Sequence, residues 1–362
     1  MARAIPVRTT LPITQHVLLE ADGDRITLSA TDAETIAITY QIPASVPESG
    51  SITLPSRLLS DFIATLPPEP ITITLVERSR QVSLSCARNE ASIGGMDPND
   101  FPPIPPVDDS SPVRVETARL RSALKQVVFA AATDDSRPVL TGVHFGIEGS
   151  TMRLAAADGF RLAVHTMQLD DPTDDRSVIV PARALAELAR LLPEIDGPTT
   201  MTFNAANTQV QFDLGHAKLI AQLIQGTFPN YEQLIPSSYT TQTEVSVKDF
   251  SRETRIASIF ARDGSGIVRL IAQPGEGGAP GRLMITARAD DIGNNEGEID
   301  AVVEGEEAKI AFNGRYLTDV LQVLDSERVA IESTSPSSPG VIRPVGDDSY
   351  VHVVMPMFVQ WD

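Results

Sequence analysis

The 362-residue chain contains one pattern three times, and this repetition constrains its fold more than any other feature. In each copy a short apolar run leads into a segment with helical apolar spacing. The three segments are SITLPSRLLSDFIATLP from Ser51, SVIVPARALAELARLLP from Ser177 and KIAFNGRYLTDVLQVLD from Lys309. Pro55, Pro181 and Asn313 hold equivalent places, 126 and 132 residues apart. Such a period indicates tandem copies of one structural unit.

A second landmark repeats with the same spacing. Asp32, Asp158 and Asp290 each lie within or after an alternating run and are also 126 and 132 residues apart. Two independent landmarks therefore predict three tandem domains, at 1–112, 113–237 and 238–362. The Pro-rich, turn-forming segments 97–106 and 228–238 lie near the two boundaries.

Within the copies, alternating runs predict strands over Arg25–Thr39, Met152–Met167 and Glu244–Val247. Apolar stripes predict helices over 55–67, Glu116–Thr133, Pro181–Leu192, Lys248–Arg262 and Asn313–Leu324. Each domain is therefore predicted to be a strand-rich α+β unit with two helices. The repeat register places the first-copy partner of helix 116–133 at about −10 to 7. We therefore expect the first domain to lack its opening strand and most of its first helix.

The charge distribution allows two interpretations. A net charge of −19 argues against a nucleic-acid partner for the chain as a whole. The predicted helices nevertheless carry more basic than acidic side chains: Arg57, Arg119, Arg121, Lys125, Arg183, Arg190, Lys248, Arg252, Arg255, Arg262 and Arg315. These are either ordinary solvated helix faces or a positive surface that contacts backbone phosphates without reading sequence.

Several kinds of chemistry find little support. The single cysteine, Cys86, excludes an intrachain disulfide, and its alternation with Val82 and Leu84 predicts a buried thiol. The five histidines show no metal-ligand spacing, and Gly275–Gly281 lacks a P-loop ending and is predicted as a hairpin loop. The acidic run Asp170–Asp175 is predicted as a solvated loop, with a hydrolase built on its carboxylates as a weaker alternative.

The chain is therefore predicted to be a non-catalytic protein without metal or cofactor. No apolar run of about 18 residues is present and no apolar segment follows Met1. These features predict a cytoplasmic protein that does not cross a membrane.

Five segments in order resemble one known family. They are SRPVLTG from Ser136, ADGFRLAV from Ala157, GTFPNY from Gly226, FNGRYL from Phe312 and VVMPM from Val353. With the threefold repeat, the chain resembles the bacterial DNA polymerase III β subunits, the sliding clamps, from about residue 8 onward. The resemblance implies a head-to-tail homodimer that closes a six-domain ring, with sheets outside and helices lining the hole. It also implies a nucleoid-associated tether that holds the polymerase on duplex DNA.

The resemblance further implies a docking pocket for short linear motifs of the polymerase III α subunit, the clamp loader and repair proteins. Carried onto matching positions, its residues are Leu140, Gly159, Phe160, Arg161, Leu162, Pro229, Leu234, Asn313, Tyr316, Val353, Val354, Met355, Pro356 and Met357. Methionine and aliphatic side chains would line an adaptable apolar slot, and Arg161, Asn313 and Tyr316 would bond the peptide backbone. From the residues alone, core and strand-end positions remain the alternative.

The remaining site predictions concern DNA and the ring interface. Arg8, Arg137 and Arg183 match family positions near the hole, whereas charge alone suggests DNA contacts for Arg121, Lys125, Arg190, Arg252 and Arg255. Ile259 and Phe260 match an apolar interface patch. The chain departs from the family pattern at Phe160, at Gln233 and in the extension Phe358–Asp362, whose Phe358 and Trp361 could cover or extend the pocket. The alternative function is a truncated, monomeric, clamp-like scaffold that only binds peptides.

Overall fold

The computed structural model describes residues 11–107, 112–194, 197–262, 266–275, 279–289 and 293–361. The chain divides into two compact units. The first comprises Met1–Arg121, Asp170–Asp174 and Arg183–Gln225, and the second comprises Ser122–Leu169, Asp175–Ala182 and Gly226–Asp362. Because residues 1–10 lie outside the described residues, Arg8 and the expected loss at the start of the first domain stay predictions.

The strands, in chain order, are β1 (His16–Asp22), β2 (Arg25–Thr31), β3 (Ile36–Pro43), β4 (Gly50–Pro55), β5 (Thr72–Val76), β6 (Gln81–Cys86), β7 (Asn89–Gly94), β8 (Val113–Glu116), β9 (Gly142–Ala157), β10 (Arg161–Pro181), β11 (Pro198–Phe203), β12 (Gln209–Asp213), β13 (Ala217–Gln222), β14 (Thr241–Ser246), β15 (Ile267–Gln273), β16 (Gly281–Ala289), β17 (Gly293–Gly305), β18 (Ala308–Asn313), β19 (Arg328–Ser333), β20 (Gly340–Pro344) and β21 (Tyr350–Val354). The helices in the described residues are α1 (Ser56–Thr65), α2 (Thr117–Val127), α3 (Ala182–Leu191), α4 (Val247–Arg262) and α5 (Gly314–Leu321).

The first unit is built on an eight-stranded sheet with the order β4-β1-β2-β3-β13-β12-β11-β8, beside a three-stranded sheet β5-β6-β7. Antiparallel pairing of β3 with β13, from Ala217 opposite Tyr40 to Ala221 opposite Ile36, carries the larger sheet across the first predicted domain boundary. In the three-stranded sheet, Cys86 is 2% exposed and continues the buried alternation of β6. The predicted buried thiol is confirmed.

The second unit contains a ten-stranded sheet with the order β18-β15-β16-β17-β14-β19-β20-β21-β10-β9. Pairing of β10 with β21, from Arg161 opposite Val354 to His165 opposite Tyr350, carries this sheet across the second predicted boundary. Gly275–Gly281 connects the antiparallel strands β15 and β16, as predicted, although residues 276–278 lie outside the described part of the chain.

Two predicted single strands are each a pair of strands, and the repeated aspartates explain why. Residues 25–39 form β2 and β3 around a turn in which Asp32 Oδ1 accepts the backbone N–H groups of Glu34, Thr35 and Ile36. Residues 152–167 divide at an equivalent turn that begins at Asp158. An aspartate carboxylate that caps backbone N–H groups favours a turn over continued strand. Asp290, the third landmark, lies outside the described residues.

The helix predictions are correct in position, but α1 and α5 end two and three residues before their predicted ends, and one helix is much shorter than predicted. The predicted helix Glu116–Thr133 ends at Val127 and continues only as a 3-10 turn, Val128–Ala130. The backbone is extended at Ala131, and the Phe129 carbonyl accepts a hydrogen bond from the Arg161 side chain. Tertiary contacts therefore replace the last helical turn.

The acidic run Asp170–Asp175 does not form the predicted separate loop. It lies within strand β10, with its aspartates exposed to solvent. The run has no glycine, and its one proline is compatible with extended backbone, so nothing local forces a reversal. The Asp175 carboxylate accepts the backbone N–H of Gly149 at 3.0 Å.

Candidate functional site

The turn that joins β9 to β10 organises the candidate site. Asp158 Oδ1 accepts the backbone N–H groups of Phe160 at 2.8 Å and Arg161 at 3.0 Å. Gly159 has φ +93°, a conformation that other L-residues rarely adopt. A Cβ at this position would lie 2.4 Å from Arg137 Nη1, and Arg137 Nη2 donates to the Asp158 carbonyl at 2.7 Å. The turn therefore requires glycine for both its dihedral angle and its contact with the guanidinium.

The Arg161 side chain is only 7% exposed, and its polar groups bond within the protein. Its Nε donates to Asp158 Oδ2 at 3.0 Å, Nη1 to Asp319 Oδ2 at 2.7 Å and Nη2 to the Phe129 carbonyl at 2.8 Å. Its Cζ lies 5.2 Å from the Phe129 ring centroid and 4.6 Å from that of Tyr316. These internal acceptors satisfy the buried guanidinium, and the expectation that Arg161 also bonds a peptide backbone stays a prediction.

The start of α5 supplies a second group of predicted site residues. Asn313 caps the helix, since its Oδ1 accepts the Arg315 backbone N–H at 2.9 Å. Tyr316 is half-buried against Arg161, and burial raises the pKa of its hydroxyl. Asp319, one turn further along α5, is the carboxylate that meets Arg161. Sequence reasoning placed Asn313 and Tyr316 in the site but not Asp319.

The chain after β21 is fixed at two points by its backbone. The Met355 N–H donates to the Phe160 carbonyl at 2.8 Å, and the Met357 N–H donates to the Ala311 carbonyl at 2.7 Å. This arrangement leaves the Met355 side chain 45% exposed and Phe160 59% exposed, whereas Val353 is buried. The side chains of Phe160 and Met355 therefore form an apolar surface that is exposed to solvent, and the backbone hydrogen bonds of Met355 and Met357 fix the chain beside it.

Beneath this surface lies a small apolar cluster. Its buried members are Ala155, Leu162, Val164, Tyr231, Val341, Val351 and Val353, with Phe228 and Ile235 packed against them. Segment 228–235 thus lies against strands β9, β10, β20 and β21, and it leaves Leu234 54% exposed. The predicted pocket residues fall into two groups, because Leu162 and Val353 are core whereas Phe160, Leu234 and Met355 are accessible. Partner binding by the accessible group stays a prediction.

The other predicted pocket residues fall into the same two groups. Leu140 is 6% exposed and Val354 is fully buried, whereas Pro229 is exposed and Pro356 and Met357 are half-buried. The expected cover from the C-terminal extension does not form. Phe358 is 92% exposed, and the Trp361 ring lies 6.0 Å from Arg269 Cζ on β15.

The cations predicted to face DNA differ in their partners. Arg121 and Arg255 are exposed and make no ion pair with the described residues. Four other predicted cations form ion pairs: Lys125 with Asp325 at 2.6 Å, Arg183 with Asp32 at 3.9 Å, Arg190 with Glu187, and Arg252 with Asp249 at 2.7 Å and Glu253 at 3.0 Å. The carboxylates of Asp325 and Asp249 are themselves exposed, and such exposed pairs contribute only about 0–1 kcal/mol, so an incoming phosphate can compete for Lys125 and Arg252.

Other candidate chemistry is sparse in the part of the chain that the structure describes. There, no group of three or more His, Cys, Asp or Glu side chains is placed to hold a metal ion. No helix among the described residues is long and apolar enough to cross a membrane.

On α4, Ile259 is 55% exposed and Phe260 is half-buried, so this helix presents apolar surface.

Repeated strand–helix domains, sheets that continue from one domain into the next and an exposed apolar surface together define a clamp-type protein. Models of the three DNA polymerase III beta subunit domains match the chain in order. The N-terminal domain matches residues 1–105, the central domain 114–230 and the C-terminal domain 232–358. The chain belongs to the DNA polymerase III beta subunit family, the beta sliding clamps of bacterial DNA replication.

Individual relatives agree with this assignment. The beta sliding clamp of Staphylococcus aureus strain Mu50 is 30% identical over 98% of this chain and 94% of its own length. The solved DNA polymerase sliding clamp of Bacillus subtilis is 28% identical with a TM-score of 0.89, over 99% of this chain and 95% of that one. A Pseudomonas aeruginosa DnaN sliding clamp bound to griselimycin is 28% identical with a TM-score of 0.87, over 99% and 95%.

Proposed function

We propose that two copies of this chain close a ring around duplex DNA, slide along it and tether the replicative polymerase. The observation that carries this proposal is the ordered match of three beta subunit domains along one chain. Two such chains supply the six domains of the expected ring. The chain acts in the cytoplasm at the nucleoid and has no catalytic role of its own.

The charge distribution supports a weak, sliding contact with DNA rather than a tight one. The net charge of −19 discourages DNA from binding to most of the surface, whereas the helix cations provide local positive charge. Several of these cations already form ion pairs with exposed carboxylates, which weakens each phosphate contact. A closed ring is retained by topology, so tight and salt-sensitive phosphate binding is not needed.

We further propose that partners dock at the apolar surface around Phe160, Leu234 and Met355. These side chains are exposed, while the backbone around them is held by hydrogen bonds and a buried cluster. Flexible methionine suits binding of different peptide side chains. The partners are short linear motifs of the polymerase III α subunit, the clamp loader and repair proteins.

Retention on DNA tests the ring. The chain is loaded onto a nicked circle by the cognate clamp loader with ATP, and half of the sample is then linearised. We expect stable retention on the circle and rapid loss from the linear ends. Equal loss from both substrates, with a monomer by sedimentation, would contradict the ring and favour the peptide-binding scaffold.

Charge reversal tests the DNA-facing cations. Arg121→Glu with Arg255→Glu should shorten retention on the circle, because both side chains are exposed and free of ion pairs among the described residues. The matched control is Arg282→Glu on strand β16, where the arginine pairs with Glu298. If the control and the double variant are retained equally, these helix cations do not contact DNA.

A further inference from the structure

We propose that Asp319 is a positioning residue of the docking surface. Through its bond to Arg161, Asp319 fixes the two sides of this surface relative to each other before a partner binds. This inference rests on the proposed docking function. One side is the turn Asp158–Arg161, which receives the Met355 N–H at the Phe160 carbonyl. The other side is α5, which begins at the Asn313 cap. The Arg161–Asp319 contact of 2.7 Å spans these elements, although the two residues are 158 positions apart in the sequence.

The contact has the burial expected of a structural link. The Arg161 side chain is 7% exposed, Asp158 is 15% exposed and Asp319 is 27% exposed. Asp319 also lies 3.9 Å from Arg315, but the Arg315 side chain is 80% exposed and therefore well solvated. The bond to Arg161 is thus the shorter and better shielded of the two interactions that Asp319 makes.

Without Asp319, the buried Nη1 group of Arg161 would lose its carboxylate acceptor. A buried guanidinium group that lacks an acceptor is costly, so its side chain would move toward water. Such a movement would pull Arg161 away from the Tyr316 ring, whose centroid is now 4.6 Å from Cζ. It would also disturb the bond from Arg161 Nε to Asp158, which holds the turn.

The effect on Met355 follows from the same connection. The Asp158 carboxylate fixes the N–H groups of Phe160 and Arg161, and the Phe160 carbonyl in turn fixes Met355. Loosening the turn would leave the exposed Met355 without a defined position before a partner arrives. The apparent dissociation constant rises in inverse proportion to the fraction of binding-competent molecules.

Asp319→Asn tests the proposal with little change in volume, because it replaces the charged acceptor of Arg161 with a neutral and weaker amide oxygen. The probe is the purified polymerase III α subunit, with a peptide that carries its short linear motif as a second probe, and the full-length chain is used throughout. If the competent fraction falls to about one tenth, the dissociation constant rises about tenfold. The matched control is Glu244→Gln on β14, which removes a carboxylate of similar exposure, 30%, that pairs with Arg328 at 3.5 Å.

Hydrogen exchange supplies a readout that general destabilisation would not reproduce. Asp319→Asn should speed exchange of the Phe160, Arg161 and Met355 amides, whereas Glu244→Gln should leave them unchanged. Asp319→Glu, which restores the charge, should recover part of the lost affinity. Unchanged affinity in Asp319→Asn, or an equal loss in both variants, would overturn the positioning role. If the unaltered chain binds neither probe, the proposed docking function itself fails.

Discussion

Replacing Gly159 by alanine tests whether the turn Asp158–Arg161 depends on the close approach of the Arg137 guanidinium to Gly159. A residue with a side chain at φ +93° carries a backbone strain of about 1–2 kcal/mol. The added Cβ would lie 2.4 Å from Arg137 Nη1, so the guanidinium must move. That movement would break its hydrogen bond to the Asp158 carbonyl, worth about 1 kcal/mol. We therefore expect Gly159→Ala to lower the free energy of unfolding by about 2–3 kcal/mol.

The control is Gly149→Ala in the same unit. Gly149 has φ +57°, but a Cβ there would meet no atom within 4 Å, so only the strain should appear. Urea-induced unfolding can be followed by the single tryptophan, Trp361, which lies against Arg269 in the second unit. In an Arg137→Ala background, Gly159→Ala should cost no more than Gly149→Ala. The reasoning is refuted if the two glycine variants are equally stable, or if the extra cost persists without Arg137.

Three further predictions concern buried and exposed groups. Burial, together with the nearby Arg161 charge, lowers the pKa of His352 from 6.5 to about 3. The contribution of the neutral His352 side chain to stability is therefore fully present above pH 6.5 and is lost as the pH falls toward 3. Between pH 7 and 4, urea unfolding should therefore show about 3 kcal/mol more destabilisation for the unaltered chain than for His352→Phe; equal losses would contradict this. Leu234→Ala should weaken binding of the polymerase III α subunit, the proposed partner, with under about 1 kcal/mol change in stability. Val353→Ala should cost about 2 kcal/mol of unfolding free energy, and the reverse ranking would refute our assignment of surface and core. Cys86 should react with a thiol reagent only as the protein unfolds, because it is 2% exposed, and rapid labelling of the native protein would disprove its burial.

Much of the fold could be predicted because it depends on local sequence. The ends of helices α1, α3, α4 and α5 lie within three residues of the predicted ends, since each helix has an apolar stripe and a defined start. The repeated aspartates were recognised as landmarks, but their role in capping turns was not. As a result, residues 25–39 and 152–167 were each predicted as one strand. An aspartate within an alternating run was the signal that could have revealed the turns.

Other errors arose where distant residues decide the local structure. The helix after Glu116 ends early where the Phe129 carbonyl bonds to Arg161, a residue that sequence reasoning had assigned to peptide binding. The bond from the Arg137 guanidinium to the Asp158 carbonyl is another such contact, and DNA contact by this exposed side chain stays a prediction. Neither partnership could be found by periodicity, because each bond joins residues that are 32 or 21 positions apart.

By itself, the sequence determined the tandem repeat, the α+β class and the positions of most helices, since all three depend on periodic apolar residues and local capping. Only the tertiary structure decided which strands pair across the predicted domain boundaries and which polar side chains are already bonded. It brought Arg161 and Asp319 within 2.7 Å, and it separated the buried Val353 from the exposed Met355 two residues later. Sequence spacing carries no information about such contacts, because they form only when distant segments pack and water is excluded from between them.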